Sequence, residues 1–146
     1  MRSLGNPISD KHRKKKYKIR SFDMTIALYC LIILAIMPYI VIIPAKINKS
    51  YDNNSPRLSS AYKEGFAGRS YSAHQNCMEA FPIFAVAVLT VFFLNPDSAY
   101  ISWCAVIYTS LRILYVLAYY FDQAKIRSIV WTLAFATNLY IFTLSA

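Results

Sequence analysis

The chain has 146 residues, 57% of them hydrophobic and 16% charged, with a formal net charge of +9. That length suits one domain, yet the apolar residues gather in long uncharged runs, which excludes an ordinary water-soluble globule. Three cysteines, Cys30, Cys77 and Cys104, all lie within those runs and lack CxxC spacing, which argues against a disulfide framework, a zinc site or any metal centre.

The first element is a basic tail. Residues 1–23 carry KHRKKKYKIR at Lys11–Arg20, read as a disordered or membrane-lying segment that attracts anionic lipid. No folded nucleic-acid reader accompanies it, so no nucleic-acid partner is expected. Met24–Ile43 then runs for twenty residues without a charge. That is enough to cross a hydrocarbon core of about 30 Å. Pro38 is expected to kink it. Its apolar run is longer than a signal-peptide core and no clear cleavage site follows.

A long polar connection leads from Pro44 to about Gly68 and contains the turn-forming YDNNSPR at Tyr51–Arg57. The second span is expected over 70–94, the third over 99–121 and the fourth over 126–144. Asn95–Ser98 and Asp122–Lys125 connect them. Such short connections make neighbouring helices antiparallel. Asp97 or Ser98 is expected to cap the third helix. The fold class is therefore all-α, an integral membrane four-helix bundle, multi-pass. Orientation is not set by charge. Eight Lys/Arg lie on the side of the N-terminus and seven on the other.

Polar chemistry concentrates in Arg69–Phe84, RSYSAHQNCMEAFPIF, which enters the second span directly. A carboxylate inside a membrane helix is costly unless it faces protein or water, so Glu79 marks a candidate site. Counted from the expected helix ends, Glu79 and Arg112 both lie about 14 Å deep at 1.5 Å per residue, and are expected to pair. Helical spacing places Asn76, Glu79 and Ile83 on one stripe. It places Tyr108, Arg112, Tyr115 and Tyr119 on another. Arg127, Ser128 and Trp131 open the fourth helix on the same membrane side. This suggests one cavity open to one compartment. The blander readings are a register-setting ion pair, an interfacial tyrosine belt, a snorkelling Arg127 and a capping His74.

The segments RSYSAHQNCMEAFPIF, RILYVLAYY at Arg112–Tyr120 and IRSIVW at Ile126–Trp131 together resemble the family of membrane-associated proteins in eicosanoid and glutathione metabolism, MAPEG. The likeness covers about Met24 to Ala146 and is strongest to small bacterial members; a bacterial source would imply the inner membrane. It implies a homotrimer that binds glutathione between subunits and acts on a lipophilic small-molecule substrate, as a microsomal-type transferase or peroxidase. Asn76 and Glu79 match the ligand-holding pair of helix two, Tyr119 a tyrosine of helix three, and Arg127 with Ser128 the Arg-Ser pair that opens helix four. Arg127 would be the catalytic residue, stabilising the thiolate. His74, Arg112 and Tyr115 complete the candidate cofactor-binding set. The sequence departs from the eicosanoid-synthesising members at Ser72 and Gln75, where those have arginines, and at Tyr115 and Trp131. The alternative is a non-catalytic membrane protein of the same fold that binds lipid or a partner.

Overall fold

The computed structural model describes residues 25–95, 98 and 100–145. The basic tail and the possible cap Asp97 lie outside the described residues. The described residues form four long helices. These are α1 at Thr25–Lys46, α2 at Gly65–Leu94, α3 at Ile101–Tyr120 and α4 at Ala124–Thr143. The first three are long and apolar enough to cross a membrane. The fourth equals α3 in length, 20 residues, and packs along it more extensively than α2 packs on either.

Pro38, the expected kink site, lies within α1. The helix runs through Pro38 and breaks at Ile42. The cause is Pro44, which has no N–H to offer the carbonyl of Ile40. Ala45 N–H then bonds Ile42 at 3.0 Å in a tight turn. The carbonyl of Val41 is thereby left without a helical donor. Side chains from two other helices supply it. Ser70 of α2 and Tyr120 of α3 both donate hydroxyls to Val41 O, the latter at 2.9 Å. The end of α1 is fastened to the bundle at that point.

Helix α2 begins at Gly65, five residues before the expected Ser70. Gly65 takes φ +63°, a conformation open to glycine, and turns the chain into the helix. Ahead of it the long connection is folded. A short 3-10 turn at Ser60–Tyr62 starts from Ser59. The Ser59 hydroxyl accepts from Asp52 N–H at 3.1 Å and donates to Ser50 O at 3.3 Å. Tyr62 stacks on Tyr71 of α2, centroids 4.0 Å apart and planes within 1°. At the opposite end, Asn95 donates its amide to Leu144 O at 2.9 Å and ties α2 to α4. Tyr100 occupies the cap position of α3 with no side-chain cap bond, so Ser98 does not cap it.

The core is a seam of small residues with a few large ones set between them. Ala27, Ala87, Ala105 and Ala134 let the helices approach closely, which is how helices associate where lipid supplies no hydrophobic drive. Phe84 of α2 and Tyr108 of α3 fill the centre as a stack with centroids 4.3 Å apart.

Candidate functional site

The polar stripes meet, in a different register from the one expected. Arg112 is 2% exposed. Its Nη2 donates to Asn76 Oδ1 at 2.7 Å and to the Asn76 carbonyl at 3.2 Å. It makes no ion pair with Glu79. The expected depths were counted from Ser70, whereas α2 starts earlier and carries Asn76, one turn before Glu79, to the guanidinium. A neutral amide and a main-chain carbonyl therefore hold a permanently charged group.

The guanidinium face of Arg112 lies 4.6 Å from the Tyr115 ring. Tyr115 meets Tyr119 edge-on at 5.2 Å. The Tyr119 ring lies 4.4 Å beneath the guanidinium of Arg127. Asn76, Arg112, Tyr115, Tyr119 and Arg127 thus form one contiguous row across α2, α3 and α4. Cation–π contact fixes both arginines. The buried Cys77 thiol lies 3.8 Å from Arg112 Nη2.

Two of the expected site residues point elsewhere. His74 donates Nδ1–H to Pro38 O of α1 at 2.9 Å. A carbonyl only accepts, so this bond fixes the tautomer and makes His74 a strut between helices. The Ser128 hydroxyl donates back to Ala124 O at 3.2 Å, within its own helix. Gln75 is likewise occupied, donating to the Tyr71 hydroxyl at 3.0 Å. Arg69 pairs with Asp122 at 3.6 Å.

Among the described residues, one cavity borders the Asn76–Arg112 end of this row and another lies apart from it, beyond His74 and Glu79. The first, about 200 Å³, lies between α2, α3 and α4. It is lined by Asn76, Glu79, Ile83, Arg112, Trp131 and Asn138, among others. The second, about 430 Å³, lies under the long connection. Lys46, Arg57, Tyr62, Tyr71, His74 and Glu79 are among its walls. Glu79 is exposed and borders both. Burial first, then the hydrogen bond its O–H donates to Tyr51, pushes the Tyr62 hydroxyl above its ordinary pKa.

The sequence reading passed over Asn138. It is 2% exposed, and its Oδ1 has no hydrogen-bond partner among the described residues. Leaving such an oxygen buried and unpaired costs about 1–3 kcal/mol. A lone amide in the apolar run of the fourth helix was the available signal.

A membrane bundle whose second helix carries Asn76 and Glu79 and whose fourth opens on Arg127 has the motif order of the resemblance noted above. The sequence profile of the MAPEG family matches residues 26–146. The chain belongs to the MAPEG family. No curated protein and no solved structure matches it. The family is membrane-associated and includes glutathione transferases and peroxidases. In this MAPEG chain the row from Asn76 to Arg127 is the feature that unites the three motif segments.

Proposed function

We propose that the protein is an integral membrane, glutathione-dependent transferase or peroxidase acting on a lipophilic substrate, assembled as a homotrimer. The observation that carries this reading is the row of five side chains ending in Arg127. Its Asn76–Arg112 end lines the cavity between α2, α3 and α4, and its other end holds the Arg127 guanidinium over the Tyr119 ring, a cation of the kind that lowers the pKa of a nearby thiol. The proton leaves the bound thiol for solvent and Arg127 stabilises the sulfur anion. The thiolate would then form a C–S bond with an electrophilic carbon, either displacing a leaving group that departs with the electron pair of its broken bond, or adding to an activated alkene whose π pair moves to the adjacent carbon and takes a proton from solvent. With a hydroperoxide, two thiols are oxidised to the disulfide, and the O–O bond breaks to give alcohol and water.

The residues present fit the tripeptide in three ways. Asn76 gives its Oδ1 to Arg112, which leaves its amide N–H groups for a peptide carbonyl. Glu79 has no ion-pair partner among the described residues, as suits an ammonium. Tyr119 orients the ligand from beneath Arg127. Arginines are absent at Ser72 and Gln75, and Arg69 and Arg112 are already engaged. Lys46 and Arg57 line the loop-side cavity with Glu79 and supply cations for carboxylates there.

The same two departures favour a second reading, a non-catalytic lipid-binding protein of this fold. Titrating the purified protein with glutathione and following thiolate absorbance separates the two. A saturable band lost in Arg127→Ala supports thiol activation. Saturable binding without a band makes glutathione an inert ligand. No binding at millimolar thiol favours lipid binding, and copurified lipid is then the thing to identify.

A further inference from the structure

Between the end of α1 at Lys46 and the start of α2 at Gly65, the connection folds on itself. Among the described residues, the hydrogen bonds of residues 48–63 close within that stretch. The Ser59 and Ser60 hydroxyls both donate to Ser50 O, the latter at 3.2 Å. Tyr51 N–H reaches Asn48 O at 2.9 Å, Asn54 N–H reaches Asp52 Oδ1 at 2.8 Å and Leu58 N–H reaches Ser55 O at 3.0 Å. The Tyr51 and Tyr62 rings meet at 6.0 Å. Bonds that join the two limbs of a surface segment make it one compact body, in the manner of an Ω-loop.

What holds this body to the helices is packing. Tyr62 stacks on Tyr71 of α2 at 4.0 Å, and the two rings pack with Ile42, Ala45 and Ala67. The Tyr62 carbonyl passes so close to Gly68 that a Cβ there would meet it at 3.2 Å. The two joints at its ends are open. Ile47, the last residue before the body, is 78% exposed. Gly65, two residues after it, takes φ +63° and has no neighbour within 4 Å of the place a Cβ would occupy. A hinge needs only a few such terminal residues to absorb backbone rotation.

The loop-side cavity, about 430 Å³, lies between this body and the helices. Tyr51, Pro56, Arg57 and Tyr62 line it from the body, and His74 and Glu79 are among those that line it from α2. We propose that residues 48–63 are a hinged cover of this cavity. The cover swings as one body about Ile47 and Gly65, the Tyr62–Tyr71 stack is its latch, and lifting it opens the way to Glu79. The movement needs no ligand, so it stands or falls separately from the thiol chemistry assigned to Arg127.

The test uses the full chain in lipid nanodiscs, with Cys30, Cys77 and Cys104 replaced by alanine. Labelled chains are diluted with unlabelled ones, so that only distances within one chain are read. Spin labels at Leu58→Cys on the cover and Lys125→Cys on α4 report the cover's position by double electron–electron resonance. A second pair within the cover, Asn53→Cys and Lys63→Cys, reports its integrity by dipolar broadening. Tyr62→Ala removes the latch. The population at a longer distance in the first pair, relative to the parent distance, should rise about tenfold or more, since the ring's buried area goes with the stack. The second pair should keep its parent distance. Tyr62→Phe retains the stack and should behave as the parent. Tyr71→Ala leaves the cover's own sequence intact and should reproduce the longer distance. A first pair that stays at the parent distance in either alanine variant overturns the proposal. So does loss of the within-cover distance in Tyr71→Ala, which would mean local unfolding rather than swinging.

Discussion

Replacing Asn76 by leucine removes the shortest bond to a buried guanidinium. Arg112 keeps the Asn76 main-chain carbonyl at 3.2 Å and the Tyr115 ring at 4.6 Å. It loses Oδ1 at 2.7 Å. A hydrogen bond to a charged group contributes about 1.5–3 kcal/mol. Stripping every partner from a buried charge costs about 3–5 kcal/mol. With carbonyl and ring retained, Asn76→Leu should cost about 2 kcal/mol. Reversible unfolding in mixed detergent micelles, followed by helical circular dichroism, measures it. The cycle is completed with Arg112→Met, which removes the charge itself. The double variant should be less destabilised than the sum of the single changes, by about 1.5 kcal/mol or more. Additivity to within about 0.5 kcal/mol, as for independent sites, would refute the claim that Asn76 is what holds Arg112.

Tyr119→Phe keeps the ring under Arg127 and should leave the pH midpoint of thiolate formation near that of the parent. Tyr119→Leu removes a contact of about 0.5–2 kcal/mol, and should move that midpoint upward in a glutathione absorbance titration. Ser70→Ala and Tyr120→Phe each remove one of two donors to Val41 O. Each should cost about 1 kcal/mol in the same unfolding assay, and the pair more than their sum, because the carbonyl is then orphaned. Tyr62, whose folded pKa is raised, adds stability to the folded loop that is fully present below the ordinary tyrosine pKa of about 10 and declines as pH rises through the raised value. Protection factors over residues 50–62, which already discount the base catalysis of exchange, should therefore fall above about pH 10, and Tyr62→Phe should remove that fall.

Much of this molecule was legible in the order of its residues. One charge-free run gave α1 and apolar runs broken by single charges gave the others, since a span must be predominantly apolar, and helical spacing brought Asn76, Arg112 and Tyr119 towards one another. What escaped was decided by termini and carbonyls. The start of α2 depends on one glycine at positive φ, and moving it by five residues exchanged Glu79 for Asn76 as the partner of Arg112. The break in α1 falls where Pro44 withholds an N–H, after the proline that seemed the stronger candidate. His74 was visible as a polar residue at a helix entrance, but its bond to Pro38 O spans 36 residues and has no local signature. Asn138 lay in a stretch whose apolar character hid a single amide.

Helix α2, at 30 residues, is about 45 Å long, while hydrocarbon accounts for only about 30 Å. The excess stands in water or headgroups on the side of the long connection. There the stacked Tyr62 and Tyr71 roof one cavity, while Trp131 and Phe135 border the other, between the helices. Glu79 is the partition between the two rooms. A polar molecule arriving from water and an oily one arriving from the bilayer would reach opposite sides of one carboxylate without either leaving its own solvent.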